Sequence, residues 1–459
     1  MSSAVAELVD RFGADVVLTG PDIGARHHVD SSGATSRAPI AMVRPATTEE
    51  VADVVRICHC NNQKIVIQGG LTGLCGGAVP QESEIALSLE RMHGIEELDQ
   101  RSMTMTVLAG TPLQVIQDAA NEVGLLFPLD LGARGSCTIG GNIATNAGGN
   151  EVIRFGMARN LVLGIEAVLA DGTIVRNLNK MLKNNAGYDL KQLFIGTEGT
   201  LGIVTRAVLR LFTRANSRCT ALVALQDFAG VVGFLRLMNR EFGGSLSSFE
   251  AMWDCYFDAI VDQVERVRSP FGQRHPLYVL AEIEGTDEAS DRSRFENVLA
   301  GAMESGMLLD VIVCQSERER QQVWAIRDGV GDIPEVIRRS AIFDVSIPIN
   351  RMAEFVARVE SEIEKALPGT PMMLFGHIGD SNLHLIFDTA NQDHNKQIYD
   401  TVYRLTGGHD GSISAEHGIG FAKRAYLHQS RTPEEIALMR RLKQALDPKG
   451  ILNAGRIIG

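Results

Sequence analysis

A chain of 459 residues exceeds what one hydrophobic core usually supports and points to two or three domains. Its hydrophobic content of 45% is that of a soluble globular protein, and a formal charge of −12 argues against nucleic acid or an anionic membrane as the main partner. No apolar run approaches the roughly 18 residues of a membrane helix, and the N-terminus, with Glu7 and Asp10, lacks the apolar stretch of a signal peptide. Seven cysteines without a Cys-x-x-Cys pair read as reduced, scattered thiols of a cytoplasmic protein.

In chain order, Val5, Leu8, Val9 and Phe12 have helical spacing. Thr47-Thr-Glu-Glu50 fits a capping box for a helix with Val51, Val54, Val55 and Cys58 on one face, which makes Cys58 and Cys60 helix residues and not a metal knuckle. Residues 64–68, 85–89 and 103–109 read as strands. Thr111 is expected to cap a helix with Pro112 at its first position and Gly124 beyond its end. Asp171-Gly172, between apolar runs at 161–170 and 173–176, signals a hairpin. An apolar run at 203–212 closes a first domain, 1–215. Beyond it, strands near 221–225, 277–283, 309–313 and 342–347 alternate with longer helices. The stretch 351–367 is amphipathic, with Phe355, Val356, Val359 and Ile363 on one side. The pattern predicts an α+β fold, with a second domain at 216–415 built as a sheet covered by helices. A C-terminal segment at 416–459 carries a helix over 433–446.

Two glycine-rich stretches stand apart. Residues 128–149 hold six glycines from Gly132 to Gly149, and residues 69–77 hold five glycines in nine positions after the strand at 64–68. Such segments cannot fill a core, but they bring bare backbone and its N–H groups close to an anion. Neither contains Gly-x-Gly-x-x-Gly leading into a helix, nor Gly-x-x-x-x-Gly-Lys-Ser/Thr. The residues alone leave two readings, a large phosphorylated cofactor or long surface loops.

With Gly196-Thr-Glu-Gly-Thr-Leu-Gly-Ile-Val204, the two stretches resemble the FAD-binding domain of the vanillyl-alcohol oxidase family, and within it the D-2-hydroxyglutarate and D-lactate dehydrogenase branch. The resemblance runs from about Arg44 to Arg456. It implies a vanillyl-alcohol-oxidase-type FAD domain and a second α+β cap domain of antiparallel sheet covered by helices, with 416–459 completing the active site and the FAD domain. FAD is expected to be non-covalent, because no histidine lies between Lys64 and Pro80. The resemblance puts Gly69, Gly70, Leu71, Thr72, Gly73, Leu74 and Gly76 around the pyrophosphate. It puts Pro128, Leu131, Gly135, Ser136, Thr138, Ile139, Gly140, Asn142, Ala144, Thr145 and Gly148 along the flavin. Glu198, Gly202, Ile203, Val204 and Asn453 complete the cofactor set.

In residues 372–387 two strand-like runs flank Gly379-Asp-Ser-Asn382, so a turn there brings His377 toward His384. Facing imidazoles suit Zn²⁺ or another borderline divalent metal, and Glu416-His417-Gly418 supplies a carboxylate. Histidines at this spacing are not by themselves a metal signature, and a histidine at a strand end is ordinarily a hydrogen-bonded residue of the fold. His377-x-Gly-Asp-x-Asn-x-His384 with Glu416-His417-Gly418 resembles the metal site of the same branch. That implies His377, His384 and Glu416 as ligands of a divalent metal, zinc foremost, with His417 as the acid/base touching substrate and Asn382 as a further substrate contact. Arg327, in Trp324-Ala-Ile-Arg-Asp328, lies in a charged helical stretch that by itself reads as a solvated face. The resemblance makes it the grip on the substrate carboxylate.

The implied activity is oxidation of a D-2-hydroxy acid to a 2-oxo acid, with the hydroxyl on the metal and hydride passing to flavin N5. An electron-transfer flavoprotein or a quinone would take the electrons, and a homodimer stays open. Gly331, Ile342 and Ile386 depart from the 2-hydroxyglutarate enzymes, which have a threonine, a lysine and an asparagine there. The expected substrate is therefore D-lactate or a D-2-hydroxy acid with an apolar side chain. Lys191, Arg338 or Arg339 remain as other cations for a second carboxylate. The alternatives are a D-2-hydroxyglutarate dehydrogenase, a flavin sugar-alcohol or aldonolactone oxidase, and a non-catalytic flavin subunit of an electron-transfer complex.

Overall fold

Ala41–Val43, Ile65–Gln68 and Ile85–Ser88 are short runs rich in aliphatic residues, the pattern of strands covered on both faces. In the computed structural model, which describes residues 2–332, 340–389 and 393–458, they form a parallel ladder, with Val17–Leu18 added antiparallel at one edge. This sheet belongs to the first of two units, made of residues 1–149, 156–214 and 416–459; the second comprises 150–155 and 215–415. Among the described residues no helix is long and apolar enough to cross a membrane.

In the first unit the helix Thr48–Cys60 buries Val51, Val54, Val55 and Cys58 against Ile65, Ile85 and Leu87. Only half of the expected capping box forms. Thr47 accepts from the Glu50 amide, while the Glu50 carboxylate takes the Ala46 amide at 2.7 Å. A five-stranded antiparallel sheet follows, in the order Ile95–Asp99, Thr104–Leu108, Ile203–Arg210, Val162–Val168, Ile174–Asn177. Asp171-Gly172 turns its last hairpin, with Gly172 at φ +82°. Thr111 does not cap the helix Leu113–Glu122. Its hydroxyl binds the carbonyls of Leu108 and Gly94 instead, and Pro112 takes the cap position without a side-chain bond.

The second unit is a seven-stranded sheet paired antiparallel throughout. Its spatial order is Asp310–Val313, Ser217–Leu225, Leu277–Gly285, Leu246–Trp253, Met372–His377, Asn382–Phe387, Ala341–Ser346. The central strand, Leu246-Ser-Ser-Phe-Glu-Ala-Met-Trp253, escapes the sequence reading because two serines and a glutamate interrupt its apolar run. On one face the helices Asp254–Gln263 and Glu317–Arg327 press Tyr256, Phe257, Ile260, Trp324 and Ile326 onto Met252, Leu280 and Phe375. On the other, Phe234 of the helix Phe228–Phe242 packs against Phe249, the rings tilted by 40° with centroids 5.7 Å apart. Burying each such side chain contributes roughly 1.5–3 kcal/mol. This is the antiparallel sheet covered by helices that the resemblance implies.

Candidate active site

In the first unit the two glycine-rich loops face each other because nothing but hydrogen stands between them. A Cβ on Gly69 would lie 2.6 Å from the Thr138 hydroxyl and one on Gly140 2.8 Å from the Ala109 Cβ; one on Gly70 would overlap the Ser136 carbonyl oxygen. The loops enclose a cavity of about 450 Å³, a size typical of cofactor sites. It is lined by Gly69, Gly70, Leu71, Thr72, Gly73, Leu74, Leu131, Thr138, Gly140, Asn142, Ala144, Thr145, Gly148, Glu198, Gly202, Ile203, Val204, Glu416, His417 and Asn453. Gly76, Pro128, Gly135, Ser136 and Ile139 lie outside that lining. Ile139 is buried, and the Ser136 hydroxyl bonds the Ala133 carbonyl. Thr138 Oγ1 and Asn142 Oδ1 are buried without a hydrogen-bond partner among the described residues, a deficit that a polar ligand corrects.

The C-terminal segment is tied to this cavity by Glu198 and Asn453, both in the expected cofactor set, and by Arg456, which sequence reasoning passes over. Glu198, left-handed at φ +49°, accepts from the amides of Ile419 at 2.6 Å and Gly420 at 2.9 Å. Burial nonetheless pushes its carboxyl above the ordinary range. Asn453 donates to the Glu198 carbonyl at 2.5 Å and accepts from the Ile67 amide at 2.9 Å, fastening the end of the chain to the strand that feeds the first loop. Arg456, fully buried, forks onto Glu84 at 2.6 and 2.9 Å and donates to the Gly77 and Val79 carbonyls. A buried arginine so near a C-terminus has no local sequence signal. Gly148 is a close approach of the same kind, since a Cβ there would overlap the Glu416 carboxylate.

In the second unit the register puts the chemistry on one sheet face. Glu250 pairs with His377, Phe375 with His384, His384 with Asp344, and Asn382 with Ser346. The turn between the two histidines is Ile378–Asp380 followed by Ser381 at φ +71°, so Asn382 already belongs to the next strand. The His377 and His384 rings meet edge to face with centroids 5.4 Å apart.

Arg327 is the last residue of its helix and only 6% exposed, so its helix face is not the solvated one that composition suggests. Its Nε donates to Glu250 Oε2 at 2.7 Å, and its Nη2 lies 3.1 Å from His377 Nε2. Its guanidinium sits 4.9 Å from the centre of the Phe375 ring, and its carbonyl accepts the Tyr256 hydroxyl at 2.6 Å. His377 Nδ1 lies 2.7 Å from Glu250 Oε1. A guanidinium only donates, so His377 Nε2 faces Arg327 as an acceptor and the ring proton belongs on Nδ1, toward Glu250. Burial works to raise the Glu250 carboxyl, but His377 and Arg327 outweigh it and hold it below its usual range. Burial likewise opposes the charge of Arg327, and Glu250 overrides that opposition. Asn382 is 3% exposed, and neither its amide oxygen nor its nitrogen has a hydrogen-bond partner among the described residues. Next along the face, Ile342 pairs with Ile386 and Ile386 with Met373, an apolar row packed toward Trp324 and Val330.

Residues 39–177 match the family described as FAD binding domain, and residues 214–457 the family described as FAD linked oxidases, C-terminal domain. The chain is 39% identical to a D-2-hydroxyglutarate dehydrogenase of Xanthomonas citri pv. viticola, over 91% of this chain and 89% of that protein. It is 36% identical to the mitochondrial D-2-hydroxyglutarate dehydrogenase of Bos taurus, over 96% and 81%. The chain belongs to the FAD-dependent D-2-hydroxyacid dehydrogenases. It is thus an FAD-linked dehydrogenase acting on a CH–OH donor. Solved structures extend the likeness in fold alone. A p-cresol methylhydroxylase superposes with a TM-score of 0.79 at 17% identity, covering 99% of this chain and 96% of that one. A 4-ethylphenol oxidase from Gulosibacter chungangensis does so with 0.76 at 16%, with the same coverage. Of the residues that this dehydrogenase brings together, Glu250, Tyr256 and Arg456 carry no signal in the linear sequence.

Proposed function

We propose that this dehydrogenase oxidises D-2-hydroxy acids with apolar side chains, D-lactate among them, with a divalent metal assisting. The observation that carries the reading is the sheet face on which Arg327, His377, His384 and Asn382 adjoin the apolar row Ile342, Ile386 and Met373. With Nε committed to Glu250, Nη1 and Nη2 of Arg327 take the C1 carboxylate in two hydrogen bonds, Nη2 giving up its contact with His377 Nε2 to do so. Asn382 offers an unsatisfied donor and acceptor to the substrate's oxygens. His417 takes the proton of the C2 hydroxyl, a role that contributes about 10²–10⁴-fold. The substrate side chain lies against Ile342 and Ile386, each Å² removed from water adding about 25 cal/mol.

FAD, when bound between the two glycine loops, supplies the hydride acceptor; the unsatisfied Thr138 and Asn142 atoms and the bare glycines support its fit there. A divalent metal, zinc first, would be held by His377, His384 and Glu416 and supply Lewis acidity. His377 fits that role if its Nε2 lone pair, which faces Arg327 Nη2 at 3.1 Å, passes to the metal while Nδ1 keeps its proton toward Glu250. Chelation should abolish turnover while FAD stays bound, and activity in metal-free protein would overturn the metal assignment. Acid should release intact FAD, since the first loop offers no histidine for a covalent link.

A second reading, D-2-hydroxyglutarate, is favoured by the names of the relatives. It needs a cation for the distal carboxylate. Ile342 and Ile386 are not one, Gly331 has no side chain, and Arg338 and Arg339 lie outside the described residues. Lys191 is paired with Asp189 at 2.5 Å. Comparing kcat/KM across a stereospecific panel of D- and L-2-hydroxy acids tests both readings. Reduction of an electron-transfer flavoprotein or of a quinone analogue in the same assay tests the acceptor.

A further inference from the structure

We propose that Glu250 is a positioning residue that couples metal binding to substrate-carboxylate binding, one oxygen serving each. The inference rests on the reading of His377 as a metal ligand and Arg327 as the carboxylate grip. Glu250 sits on the central strand Leu246–Trp253, 1% exposed. Its Oε1 meets His377 Nδ1 and its Oε2 meets Arg327 Nε, both at 2.7 Å. A buried carboxylate needs only one cation to balance it, and Arg327 is that cation. The second contact does something a counter-charge need not do. It fixes the imidazole in the tautomer whose Nε2 lone pair points away from Glu250, the form that a metal requires once Arg327 Nη2, 3.1 Å away, turns to the substrate carboxylate. The same carboxylate, with Tyr256 on the Arg327 carbonyl and Phe375 under the guanidinium, holds the arginine in one orientation.

The amide of Glu250→Gln cannot do both jobs. It has one acceptor oxygen and an NH₂ that only donates. Arg327 carries a permanent Nε–H that must find an acceptor, whereas an imidazole can change tautomer. The oxygen therefore goes to Arg327 and the NH₂ turns to His377 Nδ1. The ring proton moves to Nε2, which turns Arg327 Nη2 away from it, and the metal's lone pair is lost.

The experiment titrates Zn²⁺ against a chromophoric chelator in full-length, FAD-loaded protein and measures KM for D-lactate and D-2-hydroxyglutarate in parallel. Glu250→Gln should weaken Zn²⁺ binding by roughly 10–100-fold, with a smaller rise in KM. His377→Ala is the reference and should weaken Zn²⁺ at least as much. Wild-type Zn²⁺ affinity in Glu250→Gln beside a weakened His377→Ala overturns the role of Glu250. Wild-type affinity in His377→Ala overturns the metal reading itself, and this inference with it. If Glu250→Gln does not fold, Glu250→Asp is read instead. It keeps the charge beside Arg327 but is one methylene too short to span both partners, so the same loss of Zn²⁺ is expected, and wild-type affinity overturns the proposal.

Discussion

The cavity of the first unit and the polar band of the second are built by opposite means. The cavity is shaped by backbone: Gly69, Gly70, Gly140 and Gly148 are places where a single carbon would collide with the facing loop, with Ala109 or with Glu416. The band is shaped by side chains, with Glu250, Arg327, His377, His384 and Asn382 brought from three strands and a helix end. A site made of bare backbone must be written as a run of glycines. A site made of side chains is written as single letters far apart, which only the strand register joins.

The sharpest break of this comparison is at His417, a side chain within the backbone-shaped cavity. His417→Ala should lower kcat by about 10²–10⁴-fold and KM little, because a base acts in the transition state. A change confined to KM would make His417 a binding group. Next in size is Arg456→Ala, which strands Glu84 without its buried partner. It should cost about 3–5 kcal/mol, read as a lower unfolding midpoint in denaturant. An unchanged midpoint would show that the C-terminal clamp is dispensable.

Gly70→Ala tests the backbone half directly. The added carbon meets the Ser136 carbonyl, and overpacking of about 1–3 kcal/mol should weaken FAD binding roughly ten- to a hundredfold, seen as less flavin absorbance per protein. An alanine variant with full flavin content would mean that the loops are not held as closely as the close approach requires. The smallest effect is expected at Ile342→Lys, which should move kcat/KM toward D-2-hydroxyglutarate by roughly tenfold, the value of one added charge-assisted bond.

These contrasts also mark what was legible in the sequence. The glycine loops, the Asp171-Gly172 hairpin and the helices at Thr48–Cys60, Ile349–Ala366 and Pro433–Leu446 follow from local patterns, because their causes are local. The strand Leu246–Trp253 was missed because Ser247, Ser248 and Glu250 read as polar until neighbours on both sides bury them. Glu250 was missed with it, since its purpose lies in partners 77 and 127 residues away. Thr111 was misassigned as a cap because its hydroxyl prefers the carbonyls of Leu108 and Gly94, a tertiary competition that no window of sequence contains.

One comparison of kcat/KM for wild-type enzyme loaded with FAD and Zn²⁺ decides most directly whether the apolar row is the side-chain pocket. D-lactate and a D-2-hydroxy acid with a longer apolar side chain are set against D-2-hydroxyglutarate. Burial of an unpaired carboxylate against Ile342 and Ile386 is unfavourable, and burial of an apolar side chain there is favourable. At least one of the monocarboxylates should therefore exceed the dicarboxylate. Preference for D-2-hydroxyglutarate over both of them would contradict the assignment of the apolar row as the side-chain pocket.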